Sequence, residues 1–185
     1  MVALELLLAA SDNDQATVTA LVAAGLDEDS LNQALSCAVA YSHLHLAEYL
    51  MTEGAQLAWG DYDPLHHALE NGQIAATKFC LAHGIDINVQ DGMIICLAAS
   101  SMPPNFVAWL IKQGADVNSN QGQAIVNAII YQRLDNVRVL LNHGANPNLN
   151  QQQAMREARS RVARGNKLTV TINRLVAEAA KCFPY

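Results

Sequence analysis

Six histidines, four cysteines and seventeen acidic side chains are the groups in this 185-residue chain whose types and spacing could do chemistry. Metal binding needs several ligands converging on one point, and the histidine pairs do not offer that. His66 and His67 are neighbours, and adjacent residues on a helix point about 100° apart. His43-Leu44-His45 straddles a turn and a helix start, with no further His, Cys or carboxylate at ligand spacing. Cys37, Cys80, Cys96 and Cys182 form no Cys-x-x-Cys pair, which argues against a zinc ribbon and a thioredoxin-type redox site. Contexts such as KFCLAH and IICLAA read them as small buried hydrophobes in a reducing compartment. Asp61 and Asp63 lie two apart in a turn, not opposed across a cleft, and make a poor general acid/base pair. Gly-rich phosphate loops, G-x-S-x-G and H-E-x-x-H are all absent from the sequence. The expectation is a protein that is not an enzyme, with no catalytic residue, no metal site and no cofactor.

The elements that carry these groups are helical by composition. Hydrophobic residues make up 51 % of the chain and charged residues 15 %, which excludes disorder. Aromatics are only 5 %, so the apolar content is Ala, Leu, Val and Ile, a mix that suits close helix packing. No run of 18 apolar residues occurs, and the start, MVALELLLAA, lacks the basic region of a signal peptide. The expectation is a chain with no membrane contact. The net charge of −6 is unevenly spread: residues 1–150 balance at −11 and residues 151–185 at +5. An acidic surface over most of the chain argues against general nucleic-acid binding. The seven basic residues of the last segment read as a solvated helix face or a local anionic docking patch.

A period organises the chain. Gly25, Gly54, Gly84, Gly114 and Gly144 are 29, 30, 30 and 30 residues apart, each closing a hydrophobic segment such as VTALVAAG, TKFCLAHG or VRVLLNHG. Sixteen residues before each stands an alanine: Ala9, Ala38, Ala68, Ala98 and Ala128, continued by Ala158. Each copy reads as two helices. In the clearest one, Asp63-Pro64 opens a first helix that stops at Asn71-Gly72. A second helix over about residues 74–83 aligns Ile74, Thr77, Cys80 and Leu81 and ends at His83-Gly84, the histidine beside the negative end of the dipole. One helix pair cannot bury both its faces, so the copies must stack.

The run DPLHHALENGQIAATKFCLAHGIDIN resembles an ankyrin repeat, with its T-P-L-H-x-A helix, N-G turn, hydrophobic second helix and G-A-D-V-N close. QGADVNSN, HGANPNLN and EGAQLA repeat the closing element, and the resemblance spans about residues 3–180. It implies an all-α, ankyrin-repeat-like solenoid of stacked antiparallel helix pairs, and a structural role for His66 with His67 as its exposed neighbour. The period here is three residues shorter than the family's 33, the loss falling before each first helix. Short turns should therefore replace the long β-hairpin fingers. One domain over 1–185 is expected, with repeats near 3–29, 30–59, 60–89, 90–119, 120–149 and 150–182, the first and last acting as caps.

The resemblance places partner binding on the concave face, on exposed positions of each first helix and on the turns. Carried onto this chain, those positions include Tyr41, Trp59, Tyr62, Asp63, His67, Glu70, Asn71, Ser100, Asn127, Ile130 and Tyr131, with Cys37, Ala40, Leu97 and Ser101 beside them. The aromatics are the natural anchors, while Trp109 reads as core. The implied partner is another protein, identity unknown, and the −11 balance favours a basic one. A bacterial ankyrin effector or an immunity-type inhibitor fits this description, as a monomer or weak homo-oligomer in the cytoplasm or delivered into a host cytosol. The alternative is a targeting or substrate-binding domain of a larger enzyme or effector, its basic C-terminal cap touching an anionic partner.

Overall fold

The computed structural model describes residues 2–162 and 167–183, and every regular element among them is a helix. In order these are α1 (Val2–Ser11), α2 (Gln15–Ala23), α3 (Glu28–Ala40), α4 (Leu44–Thr52), α5 (Trp59–Glu70) and α6 (Ile74–Ala82). There follow α7 (Val89–Ser101), α8 (Pro104–Lys112), α9 (Ser119–Ile130), α10 (Leu134–Asn142), α11 (Leu149–Val162) and α12 (Lys167–Ala180). The chain divides into two compact units, Met1–Ile85 and Asp86–Tyr185. In the first, α3 packs between α1 and α5, and α2, α4 and α6 pack on the helices they follow. In the second, α9 packs between α7 and α11 in the same way, with α8, α10 and α12 behind them. Both units are thus layered helix pairs, and the fold is an all-α helical repeat.

The alanine column is what lets first helices lie side by side. Ala38, Ala68, Ala98 and Ala128 are fully buried, and Ala9 and Ala158 nearly so. Leu50, Cys80, Leu110 and Leu140, four residues before the glycines, fill the space between the two helices of a pair and are also fully buried. Of the residues aligned on α6, Thr77 and Cys80 are buried and Phe79 joins them, whereas Ile74 and Leu81 are half-exposed. Side-chain caps start two helices: Asp14 accepts from Thr17 N–H at 3.1 Å, and Asp27 from Ser30 N–H at 2.7 Å. The Thr17 hydroxyl together with its N–H holds the Asp14 carboxyl below its ordinary pKa, and the Ser30 N–H does the same for Asp27.

Second helices end as the glycine column requires. Gly54 N–H donates to Met51 O and Ala55 N–H to Leu50 O, and the same pair of bonds closes α8 and α10. This Schellman geometry needs a left-handed residue, and Gly54 has φ of 106°. First helices α3, α5 and α9 end in the same pattern, with Ser42, Gly72 and Gln132 left-handed. Helix α7 departs from it: Met102 is extended, and Pro103-Pro104 leads straight into α8.

The segments that replace the β-hairpin fingers are left-handed turns. Gly60-Asp61-Tyr62, Gln90-Asp91-Gly92 and Asn120-Gln121-Gly122 each hold three consecutive residues at φ between 48° and 78°. In two of them the turn closes with a bond from the last N–H, Gly92 to Asn88 O at 3.1 Å and Gly122 to Asn118 O at 2.9 Å. The right-handed helix that Asp63-Pro64 opens therefore begins only after such a turn, within the span of α5.

An asparagine two residues before the second and third of these turns, and its counterpart Asn148, ties one repeat to the next. Asn88 donates to Gly114 O at 3.1 Å and accepts from Asp116 N–H at 2.9 Å. Asn118 repeats this with Gly144 O and Asn146 N–H, and Asn148 donates to Ala180 O and Phe183 O. Replacing Asn118 by alanine strands one donor and one acceptor that water can partly reach, so the expected loss is about 1 kcal/mol. Urea unfolding reads this as a lowered midpoint at unchanged slope.

Candidate protein-binding surface

In the first unit the ends of α3 and α5 frame a cleft of about 390 Å³, open to solvent. Its lining includes Leu7 of α1, Gln33, Ser36, Cys37 and Ala40 of α3, and Tyr41 just beyond. Trp59, Asp63, His67 and Asn71 complete it. Five expected site residues, Tyr41, Trp59, Asp63, His67 and Asn71, thus come together here. Tyr41 is 54 % exposed although it carries a large apolar ring. Trp59 is half-buried, its indole N–H donating to Asp29 Oδ1 at 3.3 Å. His67 Nδ1 shares a hydrogen bond with Ser36 Oγ at 2.9 Å, and Asn71 donates to Ala40 O at 3.1 Å. Tyr62, half-buried in its left-handed turn, and Glu70 on the exposed side of α5 lie outside the lining.

In the second unit the corresponding positions belong to α7 and α9. Tyr131 is 61 % exposed at the end of α9, and Ile130 beside it is half-buried. Asn127 spends its amide within the unit, donating to Cys96 O at 2.9 Å and accepting from Gln123 at 2.8 Å. Ser100 likewise turns its hydroxyl to Leu97 O. The family resemblance marks such positions as outward-facing. It does not show that the Asn127 side chain reaches back 31 residues to the previous first helix, because that bond depends on how the copies stack.

The other reactive groups are mostly structural. His66 is half-exposed and lies 3.5 Å from Glu70, while His67, exposed as expected, is nevertheless the one of the two that bonds the preceding repeat, through Ser36. His83 and His143 bond Phe79 O and Val139 O at the ends of their helices, as terminal caps should. His43 reaches Ser11 O. Trp109 is half-buried and stacks on Phe106 with centroids 5.5 Å apart, less enclosed than a core position. Burial pushes the Cys80 thiol up to about 12, and burial with the nearby Asp91 carboxylate pushes Cys96 up to about 11. Cys182 departs from the expected burial and is exposed. A thiol reagent should label Cys182 first and Cys37 more slowly, leaving Cys80 and Cys96 unmodified until the protein unfolds. Mass spectrometry of the labelled peptides checks that order.

No group of three or more His, Cys, Asp or Glu among the described residues could hold a metal ion. No described helix is long and apolar enough to cross a membrane. Of the basic residues near the C-terminus, Arg156, Arg159, Arg174 and Lys181 are exposed, while the side chains of Arg161, Arg164 and Lys167 lie outside the described residues.

Layered helix pairs at a fixed thirty-residue register, held by buried alanines and by asparagine bonds between copies, define a stacked helical-repeat protein. The family model for ankyrin repeats (three copies) matches residues 6–91. Among solved structures, an ankyrin repeat domain from Acinetobacter baumannii is similar over 94 % of this chain and 96 % of that one, at 26 % identity and a TM-score of 0.69. A search of curated proteins finds no match. Residues 6–91 thus match ankyrin repeats, and the whole chain has the fold of an ankyrin repeat domain. Ankyrin repeats are general protein–protein interaction modules, and domains built of them are typically non-catalytic.

Proposed function

We propose that this chain is a non-catalytic module that binds a basic protein partner through the exposed ends of its first helices. The observation that carries this reading is the pair Tyr41 and Tyr131. They stand three periods apart at the ends of α3 and α9, each more than half exposed, in a protein whose other large apolar side chains are mostly buried. Aromatic rings held at the surface of a rigid helix end are what hot spots are made of. Charge supports the sign of the partner. Residues 1–85 carry eleven acidic side chains against the single cation Lys78, a balance of −10. Trp59, Tyr62, Asp63, His67, Glu70 and Asn71 surround the anchor in the first unit, and Ser100, Asn127 and Ile130 accompany Tyr131 in the second. Thiols without disulfide partners fit work in a reducing cytoplasm, the host cytosol included if the protein is a delivered effector. The same surface suits an immunity-type inhibitor of a basic toxin.

Photo-crosslinking in the native cell tests this. A photoreactive phenylalanine at position 41 or 131 should trap one and the same basic protein, and at Glu48 or Ala75, exposed on second helices, it should not. Adducts confined to the second-helix positions would refute the reading. A second reading rests on Arg156 and Arg159, both exposed on α11. In it the repeats belong to a larger enzyme or effector and dock an anionic partner through their basic end.

A further inference from the structure

We propose that the cleft of the first unit is an arginine pocket. In it the guanidinium of a basic partner segment lies between Trp59 and Tyr41 and forks onto the carboxylate of Asp63. The inference rests on the protein-binding reading above and names the side chain that the surface recognises.

Three observations converge on it. The first is the unanswered negative charge: Asp63 is half-buried in the lining, no lining residue is Lys or Arg, and the unit as a whole is strongly acidic. Its carboxylate lies over Gly60, where a Cβ would come within 2.5 Å of Oδ2, so the left-handed glycine leaves that carboxylate its room. The second is the pair of aromatic rings on the same cleft. Trp59 is anchored through its indole N–H to Asp29, which fixes the edge of the ring. A cation over an aromatic face gains most on tryptophan and more when partly desolvated. The third is the supply of planar acceptors. Asn71 commits its amide N–H to Ala40 O, which leaves its oxygen as the acceptor.

These features favour arginine over lysine. A guanidinium is planar, stacks on aromatic rings and donates in a fork that matches a carboxylate, whereas an ammonium is a strongly hydrated point charge. Leu7 and Ala40 give the methylene stem an apolar wall. Cys37 belongs to that wall too: burial raises its thiol pKa, which keeps it neutral and unreactive toward the cation.

The test uses three capped tripeptides, Gly-Arg-Gly, Gly-Lys-Gly and Gly-citrulline-Gly, titrated into the whole protein while the two tryptophan indole N–H resonances are followed by NMR. Citrulline keeps the shape of arginine and lacks its charge. The expected result is a saturable shift of the Trp59 resonance with the arginine peptide and none of comparable size for Trp109. Affinity should fall at least tenfold for citrulline and severalfold for lysine. Asp63→Asn and Tyr41→Ala should each weaken the arginine response at least fivefold, and Tyr41 is exposed enough for the second variant to fold. An arginine peptide that leaves Trp59 unmoved overturns the pocket, as does citrulline or lysine binding equally well. Cellular crosslinking at Tyr41 and Tyr131 reads partner docking instead, so either claim can fail while the other stands.

Discussion

Gly92→Ala lowers stability by about 3 kcal/mol, and Gly122→Ala, one repeat later, by only about 1–2. Both glycines end a left-handed turn, with φ of 78° and 76°, so both variants carry the same backbone strain. What differs is the neighbour. A Cβ on Gly92 would sit 2.4 Å from Ser119 Cβ and 2.8 Å from its hydroxyl, and a Cβ at that distance from another forces the backbones apart. On Gly122 the closest atom is Leu149 Cδ1 at 3.4 Å, an ordinary contact. Urea unfolding of both variants, with Ser119→Gly added to each, separates clash from strain. Ser119→Gly should recover a good part of the Gly92→Ala loss and none of the loss at Gly122. Equal costs at the two glycines would mean that the turns do not approach the following repeat as described.

The alanine column should respond nearly as strongly. Ala98→Leu and Ala128→Leu are each expected to cost about 2–3 kcal/mol, because both positions are fully buried where α7 and α9 lie against each other. Neither helix can move aside freely. The Ala98 carbonyl accepts from Met102 N–H and the Ala128 carbonyl from Arg133 N–H, so each alanine sits in the bond network that ends its helix. Ala75→Leu, on the exposed side of α6, is the control and should change stability by less than about 0.5 kcal/mol. A shift at Ala75 as large as at Ala98 would show that leucine itself, and not the packing, is responsible.

Much of this architecture is written locally. The alanine and glycine columns lie at fixed spacing, and each follows from one requirement: close helix approach or a left-handed cap. The helix pairs were therefore legible, as was the loss of the β-hairpin fingers. The form of the replacement was not. Asp61-Tyr62, Gln90-Asp91 and Asn120-Gln121 are not residue types that adopt consecutive left-handed conformations on their own, so the stacked repeats impose those turns. The end of α7 was missed for a different reason. Ser101-Met102-Pro103-Pro104 stands where other copies carry Tyr41-Ser42, Asn71-Gly72 or Tyr131-Gln132, and two prolines turn the chain through extended backbone.

The candidate surface was legible in part. The family resemblance put Tyr41 and Tyr131 outside, and both are more than half exposed at the ends of first helices. It also put Asn71, Asn127 and His67 there, yet each bonds to the preceding first helix. Spacing within one copy does not reveal a hydrogen bond made between copies. The D-x-N steps at Asp86–Asn88 and Asp116–Asn118 were visible as part of the closing element. Their function as ties between repeats appears only once Asn88 is seen against Gly114 and Asp116.

The affinity of the crosslinked partner for two surface variants tests the central claim most directly. One variant combines Tyr41→Ala with Tyr131→Ala, and the other combines Arg156→Glu with Arg159→Glu. Surface plasmon resonance should show the tyrosine variant dissociating faster, each anchor being worth about 2 kcal/mol. The arginine variant should bind as the unaltered protein does. Association to both should slow as salt rises, since the acidic unit steers a basic partner. Binding lost with the arginines and untouched by the tyrosines would contradict the account and move recognition to the basic end of the chain.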